Sequence, residues 1–89
     1  MSTFLKDPDA VLDYAFDWSA WLDADETIAS HTVTVDDGLT KDSSSEDGGV
    51  VTVWLSGGTA RTFPRVACRI TTSADRTDER TIVIRVRER

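Results

Sequence analysis

Large apolar side chains fall at every second position from Leu12 to Trp18. Leu12, Tyr14, Phe16 and Trp18 alternate with Asp13, Ala15 and Asp17. That spacing predicts a half-buried strand over Val11–Ser19, with rings on one face and carboxylates on the other. Rings of this size bury about 150–250 Å² each, so Tyr14, Phe16 and Trp18 are expected to anchor the core. A helix over residues 9–22 is the competing reading, because Val11, Tyr14, Trp18 and Trp21 also sit at helical spacings. The strand is preferred, since aromatics at period two suit a pleated surface. Trp21 and Leu22 continue the apolar content at a changed spacing. A bulge or short helical turn near Ser19-Ala20 is expected to hold Trp21 on the core side.

Similar short runs follow. Ile28–Val35 alternates Val with Thr and predicts a second strand. Asp36-Asp37-Gly38 closes it, and Leu39-Thr40 adds at most a short strand. Lys41–Gly49, KDSSSEDGG, has no apolar residue and is expected to be a mobile loop. Val50–Leu55 is apolar on both faces, which predicts a central strand with Trp54 in the core. Ser56-Gly57-Gly58-Thr59 reads as a turn needing positive φ at glycine. In Arg61–Thr72, Phe63, Val66, Cys68 and Ile70 are expected to face inward, with Pro64 marking an edge or bulge. Ser73–Glu79 reads as a polar hairpin loop. Arg80–Arg87 is the last strand, with Ile82, Ile84 and Val86 on one face.

Short strands at roughly ten-residue spacing, joined by Gly, Asp and Ser, predict an all-β fold. The expectation is a small antiparallel immunoglobulin-like β-sandwich with an N-terminal arm. Residues 1–9 form the arm and residues 10–89 a single domain. Phe4 and Leu5 are the arm's large apolar anchors, and Asp7-Pro8-Asp9 ends it in a turn. Whether the arm lies on its own domain or reaches a neighbour is left open at this level.

Composition narrows the chemistry. The chain has 89 residues, one Cys and one His. A lone Cys68 excludes an internal disulfide and a thiolate metal cluster, and predicts a small buried residue. His31, between Ser30 and Thr32, reads as a strand surface residue. Without a second His or Cys, no zinc site of the Cys/His kind assembles within one chain. No catalytic residue, metal or cofactor is expected. Asp23, Asp25 and Glu26 read as a solvated turn in preference to a calcium site, because the loop glycine and distal glutamate are lacking. Asp13 and Asp17 lie about 13 Å apart along a strand, too far for a glycosidase pair. Ser56–Thr59 lacks the Lys and following helix of a phosphate loop.

Charge is distributed unevenly. Residues 1–49 carry twelve of the sixteen acids and only Lys6 and Lys41 as bases. Residues 50–89 carry eight arginines against four acids, and the whole chain has a net charge of −6. Either acidic and basic strands pair within each fold, or the acidic face of one copy meets the basic face of another. Arg85, Arg87 and Arg89, with Phe4 and Leu5, are the candidate inter-subunit contacts. Nucleic acid is not an expected partner of an acidic chain. No apolar run is long enough for a bilayer, so no membrane partner is expected.

Four phrases carry a resemblance. KDPDAVLDYAFDWSAWL, TIASHTVTV with DDGLT, VTVWLSGGTA and ITTSADRTDERTIVIRVRE are similar to a family of small structural proteins of tailed bacteriophages, described as fibre-like or head-associated. The similarity runs from Lys6 to Glu88 and is most specific over YAFDWSAWL and WLSGGT. It implies a non-enzymatic virion component in many copies, made in the host cytoplasm. The implied partners are other virion proteins (capsid, portal or connector, or tail) and further copies in an oligomer or lattice. Attachment to the head or neck is the leading expectation. A tail-tip or fibre module that binds a receptor or carbohydrate is the alternative, and it requires an exposed Trp. The family pattern has a small residue or Gly at the place of Arg61, and an aromatic without proline around Phe63-Pro64.

Overall fold

The computed structural model describes residues 2–88. Seven strands follow one another: β1 Ser2–Lys6, β2 Leu12–Asp17, β3 Ile28–Val35, β4 Leu39–Asp47, β5 Val50–Gly57, β6 Arg65–Thr72 and β7 Thr77–Val86. They form a four-stranded sheet in the order β1-β7-β6-β3 and a three-stranded sheet in the order β2-β5-β4. This is an immunoglobulin-like β-sandwich. The trio β2-β5-β4 takes the places of strands B, E and D, and β3-β6-β7 those of C, F and G. The pairs are antiparallel except β1 with β7, which run parallel. Ser2–Lys6, within the segment read as an arm, therefore lies along its own domain and extends its larger sheet. Among the described residues, no helix is long and apolar enough to cross a membrane.

Alternation builds the core. β2 contributes Tyr14 and Phe16, β5 Val51, Val53 and Leu55, β6 Val66, Cys68 and Ile70, and β7 Ile82, Ile84 and Val86. Trp18, just past β2, is fully buried. Antibody domains join strands B and F by a disulfide. Here the Trp18 indole follows the B-like strand and packs into the same core as the Cys68 thiol on the F-like strand. Burial pushes that thiol's pKa up, and the indole N–H acts in the opposite sense.

Three expectations are corrected. Lys41–Gly49 is not a loop: residues 39–47 form β4, paired with β5 and bulged between Lys41 and Ser43. Its run of Ser, Asp and Glu suits an edge strand, where charge deters pairing with another chain. Trp54 is not a core anchor. β5 is central in its sheet, but the sheet has one covered face, so Val53 and Leu55 point inward and Trp54 outward, 44% exposed. Phe63 is likewise not inward-facing and is 59% exposed. It precedes Pro64 and the start of β6, ahead of the alternation that fixes Val66, Cys68 and Ile70.

Two backbone positions shape the β5–β6 connection. Gly58 has φ +108°, and an added Cβ would lie 3.0 Å from a Val86 methyl. Arg61 has φ +68°, a left-handed conformation that a residue with a Cβ rarely adopts. It is the same position at which the resembled pattern has Gly or a small residue.

Candidate protein-binding faces

The turn after β2 is built by side chains. Asp17 Oδ1 accepts from the Ser19 N–H and hydroxyl, which holds its carboxyl below the usual range. The N–H groups of Trp21 and Leu22 both donate to the Trp18 carbonyl, one helical turn that brings Trp21 half under cover. Trp18 and Trp21 meet edge to face at 5.5 Å. Arg80 lies 4.1 Å over Trp18, and Arg76 4.1 Å over Trp21. Arg80 also donates to the Asp17 carbonyl at 2.7 Å. Two arginines of the basic half therefore clamp the aromatic turn of the acidic half.

Arg76 makes a second contact of consequence. Its Nε donates to Glu26 Oε2 at 2.9 Å and its Nη2 to Glu26 Oε1, a forked ion pair. The Asp23 N–H and the Thr72 hydroxyl complete the carboxylate's partners. Glu26 is buried, and the Arg76 guanidinium, then the Asp23 and Thr72 donors, hold its pKa down at about 2. Asp23 and Asp25 remain exposed, so the acidic run does not converge on a point. Among the described residues, no group of three or more His, Cys, Asp or Glu is placed to hold a metal ion. Lys6 is the other buried charge. Its Nζ donates to the carbonyls of Gly57, at 2.6 Å, and Asp7, and burial lowers its pKa. These buried charges fasten segments together; neither forms a catalytic pair.

The surfaces left over are the two outer sheet faces. On the three-stranded sheet, Trp54 sits in the middle row, opposite Asp13 on β2 and Ser43 on β4. Asp17 and Asp47 flank Val50 at one end of the row. Asp42 accepts from Ser56 at the other. This face carries an exposed indole inside a set of carboxylates.

The outer face of the four-stranded sheet has the opposite sign. Arg65 and Arg69 stand on β6, opposite Val83 and Glu79, and Arg85 stands on β7 opposite Leu5. Arg65 leans to Asp36 at 3.6 Å, with both side chains more than half exposed. Arg85 reaches 6.0 Å over the exposed Phe63 ring. Among the described residues, neither Arg85 nor Arg87 forms an ion pair with Asp13 or Asp17; those charges stand on different sides of the sandwich. Phe4 and Leu5 are 39% and 44% exposed, and Phe4 packs edge to face on Tyr14. Arg87 is exposed at the end of β7, and Arg89 lies outside the described residues.

The sequence resemblance singled out the aromatic stretch and the Gly57-Gly58 turn. Missing from that reading were the Glu26–Arg76 pair, the buried Lys6 and the outward face of Trp54. The signal for the last of these was strand parity: Val51, Val53 and Leu55 share one face, which sends Trp54 to the other.

The comparisons with known proteins agree with the phage resemblance. No curated protein matches the chain. A family model described as podophage GP4 fiber-tail adaptor protein gp77 matches residues 6–85, the sandwich almost end to end. The chain thus belongs to the podophage fiber-tail adaptor gp77 family, a family of phage structural proteins.

Proposed function

We propose that this chain is a non-enzymatic virion adaptor that joins a fibre to the tail through protein–protein contacts. The observation that carries the reading is the family match over residues 6–85, which spans the sandwich almost end to end. The chemistry of the surface supports it. Each sheet presents an outer face of one dominant charge, an arrangement suited to holding neighbours in register. The two buried charges, Lys6 and Glu26, are tied to partners within the fold. One domain suffices for the role, with Ser2–Lys6 as a strap along the larger sheet. The family description names fibre and tail, so attachment at the tail takes precedence over attachment at the head or neck. The chain is made in the host cytoplasm and incorporated in many copies, where valency strengthens weak individual contacts.

The exposed Trp54 favours one further reading, a glycan-binding module, since an open indole can stack on a sugar ring. The carboxylates around it offer hydrogen-bond acceptors, yet a single ring makes a small platform.

The test is a phage lacking this gene product. Particles are expected to assemble heads and tails, and to lack fibres by electron microscopy and quantitative mass spectrometry. Particles with a full complement of fibres would overturn the proposal.

A further inference from the structure

We propose that the two outer faces are complementary halves of one contact between copies of this chain. The Trp54 face of one copy docks on the Arg69–Arg85 face of the next. This goes beyond the adaptor reading and does not depend on it, because copies can join wherever in the particle they sit.

Three observations lead to a second copy as the occupant. The first is charge complementarity within a single chain. Asp13, Asp17 and Asp47 stand around the Trp54 row, while Arg65, Arg69 and Arg85 outnumber Glu79 on the opposite sheet's outer face. Two copies placed face to face with like sheets together would repel; unlike sheets attract. The second is the indole. A Trp in the middle row of a sheet face, 44% exposed, fits the central anchor of an interface better than a solvated surface position. The third is the matching apolar ground on the other face. Leu5 is exposed beside Arg85, and Val83 is half-buried beside Arg65. These supply an apolar seat for the ring, and the guanidinium of Arg85 can lie over it as well.

The geometry fixes the kind of assembly. The two halves lie on opposite sides of the sandwich, so the contact is heterologous. It cannot close as a two-fold dimer; it continues into a ring or a stack. Three strands about 4.8 Å apart and about six residues long give a footprint on the order of 300 Å². One contact of that size belongs to the weak, transient class, dependent on valency in the particle.

The test uses the purified full chain in sedimentation velocity, from about 10 µM to about 1 mM, at about 0.05 M and about 0.5 M NaCl. Wild type is expected to gain mass with concentration at low salt, with association weakened about tenfold or more at high salt. Trp54→Ala and the double variant Arg69→Glu/Arg85→Glu each lose one face. Each alone is expected to stay monomeric, with association weakened about thirtyfold for Trp54→Ala. Mixed, they restore one intact pair of faces and are expected to form a complex that stops at two chains. Circular dichroism of both variants is expected to match wild type, as their side chains are exposed. A wild type that remains monomeric throughout, a Trp54→Ala chain that associates like wild type, or a mixture that fails to pair would overturn the proposal. So would a monomeric wild type whose Trp fluorescence is quenched by glycans, which would assign the Trp54 face to sugar.

Discussion

Trp18→Ala is expected to cost about 3–5 kcal/mol, the range for removing a large buried aromatic side chain. Trp18 is fully buried where the two sheets meet at the end of β2. Its ring is packed edge to face on Trp21 and covered by Arg80. Truncation would leave a cavity with no neighbour free to fill it. It would also remove the platform under Arg80, which ties β7 to the end of β2 through the Asp17 carbonyl. For a domain whose total stability is about 5–15 kcal/mol, that loss is severe. The melting temperature is expected to fall by about 15–30 °C in a thermal scan followed by circular dichroism. A fall of less than about 5 °C would show that Trp18 is not the keystone of the core. Trp54→Ala provides the contrast: its ring is outside, so its melting temperature is expected to stay within about 3 °C of wild type.

The second large effect concerns acid. Glu26 has a folded-state pKa of about 2 against an ordinary value of 4.5, held down first by Arg76. A carboxyl with a depressed folded pKa binds protons more readily in the unfolded chain. Its stabilising contribution is therefore complete above pH 4.5 and is lost as the pH falls toward 2. Wild-type melting temperature is expected to drop across that window more steeply than that of Glu26→Gln, which has no proton to take up there. At pH 7 the Gln variant is expected to melt about 5–10 °C lower, because Arg76 loses its charged partner beside Trp21. Parallel pH profiles for the two proteins would contradict the role given to this pair.

Much of the fold could be read from alternation. Ile28–Val35 has the expected bounds, and the inward rows of β6 and β7 follow period two. Alternation fails where a strand buries little. β4 holds Leu39 inward and otherwise shows polar residues to water, so its pattern contains no apolar beat to detect. What makes it a strand is β5 alongside, a tertiary partner that no local window contains. Trp54 illustrates the opposite failure. A run apolar on both faces suggests a strand covered on both sides, yet a two-layer sandwich covers each sheet once.

The buried charges escaped for a different reason. Glu26 lies in a run of exposed acids, and its partner Arg76 is 50 residues away in sequence. Lys6 sits in a segment read as an arm, and its acceptor Gly57 is 51 residues away. Nothing in the identity of either residue distinguishes a solvated charge from a clamped one. Only the neighbour does so. The two faces were half legible. The uneven charge along the chain left open pairing within the fold or opposed surfaces, and the register was needed to place Asp13 beside Trp54 and Arg85 beside Leu5.

A reconstruction of the tail in intact particles, at a resolution that distinguishes side chains, bears most directly on this account. The expected result is this sandwich seated between fibre and tail, making protein contacts on its outer sheet faces. A particle in which the sandwich sits on the head, or in which both outer faces stand bare to solvent, would contradict it.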